Sequence, residues 1–151
     1  MRPKILLLFD SATIRRESLQ YAIALAKRTN SDLSLLAILP FEVEKTASNG
    51  FRPMIERGLQ AEASLKKHAI TIRKAGIAAE TTVRIGNARS ELVKYLAESG
   101  RFEILIWGAR PDLMKRKDHW LVRMKNTVGC PVVTPFKKNA ADVAFIREQR
   151  S

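Results

Sequence analysis

The sequence predicts an α/β protein: a five-stranded parallel doubly wound sheet with helices on both faces. Two observations lead there. Short, apolar, β-rich runs alternate with longer segments of helical period, the pattern of successive βα units. The first run, Lys4 to Phe9, is continuously apolar after its lysine, as a strand covered on both faces must be.

The first helix is expected from about Thr13, a suitable N-cap, with Glu17 in the first turn where the helix dipole favours an acid. Leu19, Ala22, Ile23 and Ala26 make its apolar face. Leu33 to Leu39 is the second strand, stopped by Pro40, and Phe41 to Pro53 is aperiodic and reads as a loop over the sheet edge. A second helix is expected from about Met54 to Ala75, with Ala61, Leu65, Ala69 and Ile72 on one face and Gly76 as its C-cap. The Thr-rich, β-branched run Ala79 to Ile85 is the third strand. After Gly86-Asn87, a short helix carrying Leu92, Val93, Leu96 and Ala97 closes at Gly100. Phe102 to Trp107 is the fourth strand. A basic helix from about Leu113 to Asn126 buries Leu113, Trp120, Leu121 and Met124, and Val128 to Thr134 is the fifth strand. Residues 1–135 therefore read as one domain. In the remainder, 136–151, the spacing of Ala140, Val143, Ala144 and Ile146 matches a short amphipathic helix, frayed or docked on a partner subunit.

Composition sets the outer limits. The chain has 151 residues, 46% hydrophobic and 28% charged, enough for one globular domain with a real core. A single cysteine excludes a disulfide framework and a Cys-cluster zinc site. The longest apolar runs are too short to cross a bilayer, and the opening residues have no signal-peptide pattern, so no membrane association and a cytoplasmic setting are expected. Lysine and arginine number 27 against 15 acids, a net charge of +12 that favours anionic partners. The last 44 residues, with ten basic and four acidic side chains, carry half of that excess.

In a flavodoxin-like or related doubly wound sheet, ligands bind beyond the carboxyl ends of the strands where strand order reverses. The residues at those ends are Asp10-Ser11, Ile38 to Pro40, Gly86 and Gly108-Ala109-Arg110.

Six pieces, in the right order and at the right distances, resemble the universal stress protein family from roughly Pro3 to Thr134. They are Lys4-Ile5-Leu6-Leu7-Leu8-Phe9-Asp10, the helix Ser18 to Lys27, the strand Leu33 to Ile38, Val83-Arg84-Ile85-Gly86, Glu103 to Gly108, and Cys130-Pro131-Val132-Val133. The resemblance implies an adenine nucleotide alpha hydrolase-like fold, a regulatory stress-response role without catalysis, and homodimerisation through the last strand, here Val132 and Val133. Pairing would also cover an otherwise open sheet edge.

ATP-binding members of that family carry Gly, two residues, Gly, nine residues, then Gly with Ser or Thr after the fourth strand. Glycines let backbone amides approach phosphates, and the following helix N-terminus adds partial positive charge. Here Gly108 is in place, but the second position is Pro111 and the final pair is Leu121-Val122. Proline has no N–H to offer. The expectation is weak or absent ATP binding and no obligatory cofactor.

Two alternatives stay open. An adenine nucleotide would use Asp10, Ser11, Ile38, Gly108 and Ala109, with Arg110 and the basic run Lys115 to Lys117 holding phosphate by side chains instead of amides. Asp10 equally suits a strand-end turn residue, and the basic run a solvated helix face. The basic helix could instead bind nucleic acid or an acidic protein, although no recognised nucleic-acid module is present. Catalysis finds little support. His68 and His119 lie on different helices, no metal-ligand or nucleophile motif appears, and Cys130 reads as a small buried hydrophobe.

Overall fold

The computed structural model describes residues 2–10, 14–40, 51–109, 119–137 and 143–147. Its strands are β1 (Lys4–Phe9), β2 (Asp32–Pro40), β3 (Ala79–Gly86), β4 (Ile104–Trp107), β5 (Val132–Lys137) and β6 (Val143–Arg147). Helices α1 (Arg16–Thr29), α2 (Phe51–Lys74) and α3 (Ala88–Ser99) join the early strands, and two short helices, α4 (Trp120–Arg123) and α5 (Lys125–Val128), precede β5. The sheet order is β3-β2-β1-β4-β5-β6. The first five strands are parallel, as expected, and β6 is antiparallel to β5. Among the described residues no helix is long and apolar enough to cross a membrane.

The continuous apolar runs occupy the middle of this sheet. Ile5 to Phe9 and Leu33 to Leu39 are buried throughout, because β1 and β2 have paired neighbours at both edges and helices on their faces. The outer strand β3 is largely exposed or half-buried along Glu80–Gly86, so it tolerates its Thr and Arg residues. Helix α1 presents Ser18, Ala22 and Ala26 to the sheet, and α2 presents Ala61, Leu65, Ala69 and Ile72. The alanines bring the helix axes close.

Several boundaries differ from expectation for local reasons. Thr13, the expected first cap, lies outside the described residues; the N-cap of α1 is Arg15, which makes no side-chain cap bond. Strand β4 begins at Ile104 because Phe102 turns inward instead, 6.0 Å from the Tyr95 ring and under the Lys4 ammonium. The expected basic helix over 113–126 is not continuous in its described part: the chain breaks step at Met124 (φ −96°, ψ 4°), leaving two single turns. Val128 closes α5 rather than opening a strand, and Gly129 at φ 78° reverses the chain into β5. That left-handed backbone suits glycine, not a side chain.

The C-terminal segment brings the largest correction. It was expected to be helical, frayed or docked on a partner subunit, yet Val143–Arg147 forms β6 on the chain's own sheet. The fifth-strand interface changes with it. Val132 and Val133 pair with Leu105 and Ile106 on one side, and from Val133 onward the other edge of β5 is taken by β6. On that edge the backbone of Val133–Lys137 is paired within the chain, and the register gives Val132 no partner in β6. Pro135 sits inside β5 without harm, because the pairing with β4 has ended at Val133 and no donor is needed on that side.

Candidate functional site

Strand order reverses between β1 and β4, so the crevice to examine lies at their carboxyl ends. Asp10 is the half-buried residue that follows β1 in a bend. The register that sets Phe9 beside Ala37 carries Asp10 alongside Ile38, which is fully buried in β2. Gly108 and Ala109 follow β4 at the same end, and Ala109 is buried. The structure thus brings together four of the expected site residues: Asp10, Ile38, Gly108 and Ala109. Ser11, Arg110 and Lys115 lie outside the described residues, as do Pro111, Arg116 and Lys117.

Gly108 is committed to the fold at both of its backbone groups. Its N–H donates to Leu8 O at 2.7 Å, and its carbonyl accepts from Arg15 N at 2.8 Å. A Cβ here would stand 3.3 Å from Ile14 Cγ2, 3.3 Å from Leu7 Cδ1 and 3.4 Å from the Leu8 carbonyl. Close approach between β4 and the start of α1 therefore accounts for a glycine at this position.

The far side of the crevice is closed by residues that the sequence did not single out as a group. Trp107, at the end of β4, meets His119 edge-on at 5.1 Å and Trp120 at 6.2 Å, and His119 stacks on Trp120. His119 is the N-cap of α4, its Nδ1 accepting from Leu121 N at 3.2 Å. Leu121 itself has no exposed surface. Among the described residues Trp120 Nε1 is buried without a hydrogen-bond partner. The signal available in the sequence was thin: both tryptophans of the chain, with a histidine between them in order.

Two tethers hold the crevice floor. Ser18 Oγ, buried in α1, donates to Trp107 O at 3.0 Å. Arg15 Nη1 donates to Pro135 O at 2.6 Å while Nη2 lies 3.4 Å from Glu17, tying the start of α1 to β5. Nothing in the local sequence around Arg15 announces that bond, since its acceptor is 120 residues away.

The consequence for phosphate chemistry is direct. A glycine-loop site needs free amides at the strand end and at the next helix N-terminus. Gly108 N–H is used by Leu8 and Leu121 N–H by His119. The helix behind them, α4, is one turn long and supplies little dipole.

The other titratable candidates are elsewhere. His68 is half-buried on α2, and burial, with Lys67 beside it, holds its pKa below the usual imidazole value. Burial likewise raises the Tyr95 phenol, against opposing hydrogen bonds from Ser34, Ser99 and Thr82. Cys130 is buried, in keeping with a packing role. Among the described residues no three His, Cys, Asp or Glu side chains converge.

Residues 1–117 match the model of the universal stress protein family. The chain belongs to that family. No curated protein matches this universal stress protein. Solved structures similar to it include a universal stress protein family member from Burkholderia pseudomallei, at 14% identity and TM-score 0.67, covering 88% of this chain and 95% of that one. An Arabidopsis thaliana family protein with AMP bound is similar at 17% identity and TM-score 0.58, covering 91% and 93%. The universal stress protein from Archaeoglobus fulgidus in complex with dAMP is similar at 15% and TM-score 0.57, covering 89% and 97%. At these identities the likeness establishes the shared α/β fold.

Proposed function

We propose that this universal stress protein is a non-catalytic stress-response regulator, cytoplasmic and homodimeric, that holds Mg-ATP weakly or not at all. One observation carries the ATP part of the reading. The amide at the α4 N-terminus, where the family motif would place its last glycine, is already satisfied by His119 Nδ1 under a fully buried Leu121. Pro111 removes a further donor from the same turn. A triphosphate would have to break the His119 cap and still find one amide fewer than the motif supplies.

The non-catalytic part is supported by the histidines. His119 is engaged as the cap of α4, and His68 sits half-buried on a separate helix.

A second reading has its own support. A nucleoside monophosphate needs no triphosphate cradle, and Asp10 beside Ile38 offers a hydrogen-bond acceptor next to buried apolar surface at the strand ends. Relatives of the same fold hold AMP and dAMP.

Calorimetric titration with ATP, with and without Mg²⁺, and with AMP distinguishes the two. Heat from neither nucleotide, or from AMP alone, agrees with the absence of a triphosphate cradle. Micromolar, Mg-dependent ATP binding would overturn it.

A further inference from the structure

A cavity of about 310 Å³ opens at the amino-terminal ends of β1 and β4, the end of the sheet opposite to Asp10 and Gly108. Its walls are hydrocarbon. Pro3 precedes β1, Ile5 and Ile104 stand side by side in the register of β1 and β4, and Leu25 comes down from α1. Ile5 is buried, and Leu25 and Ile104 are half-buried around it. That volume lies at the small end of the range for organic ligands.

The polar groups left over at this cavity are acceptors. Glu103 lines it at an exposed position, and among the described residues its carboxylate has no ion pair or hydrogen bond. Arg28 and Arg101, near it in the chain and exposed, form no ion pair with it. Ser31, also in the lining, is only 5% exposed. Its Oγ lies 2.7 Å from Thr29 Oγ1, and Thr29 donates its one hydroxyl proton to Leu25 O at 2.7 Å, so Ser31 is the donor of the pair. The Ser31 lone pairs are then open to an incoming N–H. The backbone adds no donor of its own: the Ser31 N–H goes to Ala26 O, the Glu103 N–H goes to Lys4 O, and Pro3 has none.

A ligand that suits these walls brings hydrogen-bond donors to Glu103 and Ser31 and hydrocarbon to the rest. An anion would meet the Glu103 charge with nothing between them. A neutral apolar molecule would take water from that carboxylate and return no partner. A protonated amine on a short hydrocarbon body supplies positive charge, N–H donors and apolar surface together. We propose that this cavity is a binding site for a small organic ammonium ion, with Glu103 as its charge partner and Pro3, Ile5, Leu25 and Ile104 around its hydrocarbon. The site shares no residue with the crevice at the other end of the sheet, so it does not depend on whether a nucleotide binds there.

Heteronuclear NMR titration of the full chain tests it, and the same spectra confirm that each variant is folded. The probe is phenethylamine, with phenethyl alcohol as its neutral counterpart and hydrocinnamate as its anionic one. The amine should give saturable shifts in the millimolar range, centred on the amides of Leu25, Ser31, Glu103 and Ile104. The alcohol should bind about fivefold more weakly, and the anion should not bind. Glu103→Gln, at an exposed position, should lower amine affinity to that of the alcohol and leave the alcohol unchanged. Leu25→Trp, which fills the cavity, should abolish binding of both. The proposal is overturned by an amine that gives no saturable shift, or whose shifts centre on Asp10 and Gly108. It is equally overturned if the alcohol binds as tightly as the amine, if Glu103→Gln leaves amine affinity unchanged, or if folded Leu25→Trp still binds.

Discussion

Replacing Gly108 with alanine asks whether this glycine serves the packing of β4 or a bound phosphate. The added methyl would stand 3.3 Å from both Ile14 Cγ2 and Leu7 Cδ1 and 3.4 Å from the Leu8 carbonyl oxygen. The first two are ends of side chains and can give by a few tenths of an ångström. The third is backbone in the most buried strand, and the Gly108 N–H to Leu8 O bond of 2.7 Å binds the two chains together at that point. Crowding of this kind in a filled core costs about 1–3 kcal/mol. Alanine also has less unfolded-state freedom to lose, which returns about 0.4–1 kcal/mol. The net expectation is a loss of about 1–2 kcal/mol. For a domain of this length each kcal/mol moves the melting temperature by about 2–4 °C. Urea unfolding of the ligand-free protein should show a lower midpoint with an unchanged slope, because the surface exposed on unfolding is the same. Unchanged or raised stability would refute the packing account and return Gly108 to the list of residues kept for a ligand.

Ser18→Ala removes the buried donor to Trp107 O and should cost about 1–3 kcal/mol by urea unfolding, with no cavity large enough to matter; a change within error would mean that the carbonyl finds another donor. Truncation after Lys137 uncovers the outer edge of β5, and the shortened chain should self-associate more strongly in sedimentation than the full chain. Equal association would show that β6 does not protect that edge. His68 titrates below its unfolded value because burial and Lys67 disfavour its charged form. The unfolded chain therefore binds the extra proton first, so this contribution to stability is fully present above the unfolded pKa of about 6.5 and declines as pH falls through it toward the folded value. Comparing wild type with His68→Gln in urea at neutral and mildly acidic pH isolates it: the wild-type loss on acidification should exceed that of the variant.

The parts of the fold legible in the sequence were those in which each residue reports its own surroundings. Leu33 to Leu39 could be read as a covered strand because six of its seven positions are apolar, and all seven, Ser34 included, are buried. Ala61, Leu65, Ala69 and Ile72 could be read as one helix face because burial repeats with the turn of the helix. The strand ends followed from these, and so did the placement of Asp10, Ile38, Gly108 and Ala109 at one end of the sheet. The segment Val143–Arg147 misled for a matching reason. Five residues of mixed apolar character satisfy either period, and what made them a strand was an open edge on β5 that only the assembled sheet possesses.

The sequence by itself determined the α/β class, the succession of five strands along the chain, the buried runs and the departure from the glycine motif at Pro111 and Leu121-Val122, because each of these depends on a residue's own size, polarity or missing N–H. Only the tertiary structure decided that the Leu121 amide is capped by His119, that Arg15 reaches Pro135, and that β6 rather than another chain lies on β5. Hydrogen-bond satisfaction belongs to pairs, and a partner 120 residues away is set by how the sheet closes rather than by any local pattern.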